Sequence, residues 1–395
     1  MSDVGKRSSR DPGRHPPVSA LLIPASPDAL RRNNFDAIRL AMALLVVWSH
    51  SFALRLGSED NEPVSLLFGG IYNAGNLGVL AFFTISGFLI TLSYVRAKSV
   101  GSYLRKRVAR IHPGYLVAIL LCSLVVVPLY STRSFGDLDD HELAGLASNL
   151  LLRNYILPSD AFGGQAVNGS LWSIPYEFWC YLGVMALGLA GLLTRRHACL
   201  LIAVAVMAVR VWLDMTGRHP GSGLAAQIVG PPYLWFVVLP SFMLGAAIYT
   251  ERARIPRSGA LLAGLILATM ISAHLPLADP LRLIPTRLLM PPTLAYAVFY
   301  LAFHPRIAFH HVARHGDFSY GCYLYAFPIQ RMLAASLPAA VPFAVYVLLS
   351  MVLSLLAGVA SWFLVERWFL PRARAIQTGK VQSRPLEEEA AVVAP

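Results

Sequence analysis

Ten apolar runs, each close to the length of a spanning helix, alternate with short polar breaks between residues 36 and 366. A helix that crosses the hydrocarbon core needs about 20 mostly apolar residues, so runs of this kind bounded by charge, proline or glycine predict transmembrane helices. The runs cover 36–55, 75–95, 113–130, 172–193, 198–213, 233–250, 259–275, 288–303, 318–337 and 341–366. The fifth and eighth are short, and the eighth carries Pro291 and Pro292. The predicted fold is an all-α integral membrane protein, a bundle of about ten transmembrane helices occupying 35–370. Residues 1–34, rich in arginine, proline and serine, and residues 371–395 predict disordered segments.

Composition agrees with a bilayer as solvent. Hydrophobic residues make up 56% of the 395 positions and charged residues 14%, against roughly 45–50% and about 25% in soluble domains. That leaves too little charge to cover a soluble core of this size. The net charge of +12 would fit a nucleic-acid partner if it formed one patch. It is instead sorted by loop. With the N terminus placed in the cytoplasm, 24 of the 33 basic residues fall in inner segments and six in outer ones, while Arg39, Arg210 and Arg331 lie within runs. This asymmetry predicts that both termini are cytoplasmic. No cleavable signal peptide precedes the first run. Cys122, Cys180, Cys199 and Cys322 sit in apolar stretches without ligand spacing, so neither a disulfide framework nor a metal site is expected. The largest outer loop, 131–171, carries five acidic residues and predicts an extracytoplasmic lid or acceptor-facing element.

Ionisable groups inside spans are costly and mark candidate sites. Arg39 and His50 stand 11 residues apart on the first run, about 20° apart around the helix and about 16 Å along it, so they share a face. Asp36 lies one turn before Arg39. His50 is either an interhelical hydrogen-bonding group or a proton acceptor working near neutral pH. At the start of the fourth run, Ser170, Trp172, Ser173 and Glu177 precede an aromatic stretch. An ionised Glu177 needs a partner there, for which the arginine or histidine of the first span is available; otherwise the aromatics form an interfacial belt and Glu177 is solvated. The basic segment before Pro113 places Arg107 and Arg110 one turn apart. That suits phosphate binding, as it also suits orientation or anionic lipid.

These features, in this order, resemble membrane acyltransferase family 3. The resemblance rests on Arg39 and His50, Phe82-Phe83-Thr84-Ile85-Ser86-Gly87-Phe88-Leu89-Ile90, Arg107 with Arg110, and Ser170-Leu171-Trp172-Ser173 through Glu177. It continues in Ser319-Tyr320-Gly321 through Phe327-Pro328 and in Val365-Glu366-Arg367. It implies a ten-helix core in a bacterial inner membrane that takes an acyl group, usually acetyl, from cytoplasmic acyl-CoA and delivers it to surface polysaccharide, lipopolysaccharide or a related glycan or lipid-linked sugar. By the same resemblance His50 is the base or acyl relay with Arg39 as companion, Arg107 and Arg110 stand near the donor, and Glu177 near the acceptor with Asp36, Ser170, Trp172 and Ser173. The chain departs from the pattern at Ala326, where many members carry histidine, and at Arg367-Trp368, where Arg-Pro is usual. It also shows no extracytoplasmic hydrolase-like domain, which implies direct acylation or a separate polysaccharide-assembly partner.

The leading expectation is therefore an acyl-CoA-dependent O-acyltransferase that uses no metal and binds no nucleic acid. The alternative is a transporter or flippase with Arg39, His50 and Glu177 as a proton relay, for which inverted repeats are expected and none is visible. A non-catalytic partner in polysaccharide assembly is the third reading.

Overall fold

The computed structural model describes residues 21–24, 30, 32–132, 138–223, 226, 229–309 and 311–370. Among these the chain is all-helical, with ten long helices: α1 Phe35–Ser51, α2 Ala74–Val95, α3 Val100–Leu121, α4 Ser173–Leu189, α5 Ala198–Met215, α6 Pro232–Thr250, α7 Gly259–Ala273, α8 Leu283–Ala302, α9 Ser319–Ser336 and α10 Phe343–Leu364. Each overlaps one of the ten apolar runs. Six helices, counting the turns that extend α1 to Leu56, α3 to Tyr130 and α10 to Trp368, are long and apolar enough to cross a membrane: α1, α2, α3, α5, α6 and α10. The others are shorter or more polar. In α9, for example, Tyr320, Tyr323 and Gln330 are buried inside the protein, so that helix does not need an apolar surface all round.

α3 corrects the sequence reading of its own start. The segment expected to be a basic loop before a helix opened by Pro113 is already helix from Val100, capped by the Ser99 side chain accepting from Ser102 N at 3.2 Å, and Pro113 lies inside it. Helix propensity of the arginine- and lysine-rich stretch and a good cap outweigh one missing amide donor. Arg107 and Arg110 therefore sit on a rigid element.

The bundle is held by small residues at helix crossings, as expected where lipid removes any hydrophobic drive between helices. A Cβ on Gly87 would lie 1.9 Å from the Phe242 carbonyl oxygen, and one on Gly245 would lie 2.0 Å from that of Thr84, so α2 and α6 meet backbone to backbone. α10 buries Tyr346, Ser350, Ser354, Gly358 and Ser361 along one stripe, while Leu348, Leu356 and Leu364 are exposed. Its polar and small face is inside and its leucine face outside, the reverse of a helix in water.

The described part of the expected outer loop, residues 138–171, does not form a simple cap. The His112 ring, 18 residues before the end of the extended α3, lies 3.2 Å from the Leu150 carbonyl oxygen. Buried Asn149 accepts from Tyr115 OH at 3.0 Å and from Tyr155 N at 2.8 Å. The segment thus folds back along α3 by about 27 Å, and its irregular continuation brings buried Asn168 onto the Leu324 carbonyl of α9 at 2.9 Å. Non-helical backbone is tolerated at this depth because protein covers it.

At the other terminus Leu22 and Ile23, within the segment expected to be disordered, are buried in the core, with Leu22 N donating to Ile255 O at 2.8 Å. Most of residues 1–34 and all of 371–395 lie outside the described residues.

Candidate active site

A cavity of about 1150 Å³ opens among the first halves of α1, α3, α4 and α9, the middle of α2 and the end of α10. Its wall includes Asp36 and Arg39 of α1, Lys106, Arg107 and Arg110 of α3, Asp317 before α9, and Arg367 after α10. Basic groups dominate one end of it. The other end is bounded by Val79 and Phe82 of α2, Ser173 and Ile174 of α4 and Tyr323 of α9.

Asp317 organises the basic end. Its Oδ2 accepts from Arg110 at 2.5 Å and from Arg39 at 3.3 Å, while Oδ1 accepts from the Ser319 backbone and hydroxyl at 3.1 and 2.5 Å. Arg110 also faces Glu366 Oε2 at 3.6 Å and lies over the Tyr320 ring, and Ser361 donates to Glu366 Oε1 at 2.8 Å. Four elements are tied together by these charges. Burial acts to raise the Asp317 carboxyl, but the charges of Arg110 and Arg39 and the bonds from Ser319 outweigh it and hold it at about 2. Arg107 is placed differently: it has no carboxylate partner among the described residues, donates to Ser93 Oγ at 3.3 Å and lies over the rings of Tyr103 and Tyr181. Its Nε is buried without a partner.

Deeper in, Glu177 Oε1 accepts from Ser86 at 2.5 Å and from Tyr181 at 2.7 Å. Tyr323 donates to the Ser170 carbonyl at 2.8 Å, which leaves its oxygen to accept from Ser173 at 2.9 Å. The spacing of Ser173 and Glu177, one turn apart at the start of α4, puts both on the cavity.

A family model described as an acyltransferase domain matches residues 32–363. The chain belongs to acyltransferase family 3. Among curated relatives it is 28% identical to the O-acetyl transferase of Shigella phage Sf6 over 360 residues, covering 87% of this chain and 97% of that one. It is 31% identical to Nodulation protein 10 of Rhizobium leguminosarum bv. viciae over 45% of this chain and 49% of the relative. It is 29% identical to Acyltransferase MdmB of Streptomyces mycarofaciens over 40% and 39%. No solved structure gives a significant match. The protein is a multi-pass membrane acyltransferase.

Within this family 3 chain the residues expected to form the site separate into two groups. Asp36, Arg39, Arg107, Arg110, Ser173 and Glu177 line the cavity; His50, Ser170 and Trp172 do not. The His50 ring packs edge-on against Phe327 at 5.3 Å between centroids, one turn beyond Tyr323 on α9, and its Nδ1 is buried without a hydrogen-bond partner. No described hydrogen bond joins Arg39, His50 and Glu177, so the expected pairing of Glu177 with the first span is replaced by the hydroxyls of Ser86 and Tyr181. Ser170 is not on α4 but in the short turn Gly169–Trp172, with its Oγ buried and unpartnered. The aromatic-belt reading fails as well: Tyr176 and Tyr181 are buried and only Trp179 is exposed.

Asp317 and Glu366 were overlooked as functional groups. Asp317 is the lone acid between two apolar runs beside Arg314, a signal hidden because the loops were counted for positive charge. Glu366 was noted only as part of a closing motif. Among the described residues no group of three or more His, Cys, Asp or Glu stands close enough to hold a metal ion.

Proposed function

We propose that this protein is an O-acyltransferase that moves an acyl group, acetyl, from cytoplasmic acyl-CoA to a hydroxyl of a glycan or lipid-linked sugar. All ten long helices then cross a bacterial inner membrane with both termini in the cytoplasm, and the basic end of the cavity faces the cytosol. The observation that carries this reading is the cavity itself. It places an arginine without a carboxylate partner, Arg107, beside exposed Lys106 and half-buried Arg367 at its basic end, and hydroxyl and carboxylate groups at depth. Phosphates of a nucleotide-like donor are held by such cations. Near full-length similarity to an O-acetyl transferase supports the reaction type.

In this scheme the acceptor oxygen attacks the thioester carbonyl, the acceptor proton passes to the free nitrogen of His50, the C–S bond breaks, and the CoA thiolate leaves and is protonated. Relay through an acyl-imidazole uses the same nitrogen. The position of His50 past Tyr323 supports approach of the acceptor from the opposite end of the bundle to the donor. Purified protein given radiolabelled acetyl-CoA and candidate glycans tests the reaction: an alkali-labile ester on the glycan is expected, and its absence with every glycan type, together with accumulation of substrate across a vesicle membrane, would overturn it in favour of transport. Mass spectrometry of surface glycans from a deletion strain identifies the acceptor by the ester that disappears.

A further inference from the structure

Two rings stand together on the wall of the deep end of the cavity. Phe82 and Tyr323 meet edge to face with centroids 5.8 Å apart. On its far side Phe82 packs against a cluster of small and branched side chains, Ala43, Val47, Cys322 and Ala326, all buried. His50 and Phe327, in contact with each other, do not line the cavity. Along α2 the cavity runs from Ile90 to Val79, eleven residues or about 16 Å.

We propose that Phe82, seated on Tyr323, selects the acyl chain of the donor and restricts it to short groups. The proposal rests on the acyl-CoA reading above. The donor phosphates must remain at the basic end, because ionised groups lose too much by entering the apolar depth. An extended pantetheine arm, comparable to about four residues of extended chain, reaches about 14 Å, which brings the thioester to the level of Ser173 and leaves the acyl group against the Phe82 ring. An acetyl group fits on the near side. Each further methylene has to displace the ring, and an apolar pocket discriminates one methylene by about 10- to 200-fold. The residues behind the ring are what make it a selector and not merely a packed phenylalanine. Truncation opens onto Ala43, Val47 and Ala326, apolar side chains with no polar atom, so the space gained suits hydrocarbon and not water.

Equilibrium competition tests this without an acceptor. The full-length protein in lipid nanodiscs is loaded with tritiated acetyl-CoA, and butyryl-CoA and octanoyl-CoA are titrated as competitors. Wild type is expected to bind acetyl-CoA at least about tenfold more tightly than octanoyl-CoA. Phe82→Ala is expected to raise relative octanoyl-CoA affinity by about tenfold or more, and Phe82→Leu, which keeps more of the packing, to raise relative butyryl-CoA affinity by a smaller factor. Tyr323→Phe retains the ring and should leave the ratios unchanged. Unaltered ratios in both Phe82 variants, or a wild type that binds all three donors equally, overturn the selector while leaving the donor reading in place. A wild type that binds no acyl-CoA overturns the donor reading and the selector together.

Discussion

Arg110 and Asp317, 207 positions apart in sequence, lie 2.5 Å apart at the basic end of the cavity. The same carboxylate oxygen also receives Arg39, so α1, α3 and the start of α9 are joined by one acidic group. With Arg110 and Arg39 paired in this way, Arg107 is the arginine of α1 and α3 left to act on a ligand, together with Lys106 and Arg367.

Arg107 and Arg110 should therefore respond differently to removal, although they are adjacent on one helix face. Arg107→Ala is expected to raise the KM for acyl-CoA by about tenfold, or about 1.4 kcal/mol, with little change in thermal stability. Arg110→Ala leaves buried Glu366 and Asp317 short of a cation and should cost about 3 to 5 kcal/mol of stability. Donor titrations and detergent-solubilised melting curves on both variants distinguish the two roles; equal loss of stability would refute the assignment.

The carboxyl of Asp317 gives the cluster a defined acid limit. Its folded value near 2 lies below the unfolded value of about 3.9, so its contribution to stability is complete above pH 4 and is lost as pH falls from about 4 to about 2. Melting temperature should show no Asp317-dependent step between pH 5 and 8. Asp317→Asn is expected to lower stability across that range and to remove the wild-type decline below pH 4. A wild-type step near neutral pH that vanishes in Asp317→Asn would contradict the ion pairing.

His50→Ala is expected to reduce acyl transfer by about 100-fold or more, the scale of general-base contributions, while the protein still inserts and melts normally. The ring nitrogen Nδ1 has no hydrogen-bond partner among the described residues, so little structural bonding is lost with it. Full activity in this variant would remove His50 from the mechanism.

Gly87→Ala should prevent normal packing of α2 on α6. The added methyl would sit 1.9 Å from a carbonyl oxygen of Phe242, a backbone atom that cannot rotate away. Overpacking of this kind costs about 1 to 3 kcal/mol or more. Reduced yield of monodisperse protein is the expected result, and Gly264→Ala, where nothing stands within 4 Å, serves as the control.

Helix positions were legible in the sequence because the bilayer imposes them locally. Each run must satisfy its own backbone and present apolar side chains over about 20 residues, so length and hydropathy identify it without reference to any other run. The start of α3 is not legible for the same reason: its first turns, with Arg105, Lys106, Arg107 and Arg110, are too charged to read as a span. Motif spacing likewise pointed to Ser173 and Glu177, because one helical turn puts both on one face.

Partners were not legible. Glu177 was expected to meet the first span and instead accepts from Ser86 of α2 and Tyr181 of its own helix. Arg39 and His50 share a face of α1, as their spacing dictates, yet the cavity reaches only the first. What the sequence determined by itself was the membrane environment, the ten helices and the family, since these follow from local hydropathy and short motifs. Which arginines are ion-paired, where Glu177 finds its donors, and that Phe82 meets Tyr323 at the depth of a cavity that His50 does not line were decided by the tertiary structure. Ion pairs and ring contacts depend on distances of a few ångströms between helices more than 200 residues apart in the chain, and no local pattern encodes them.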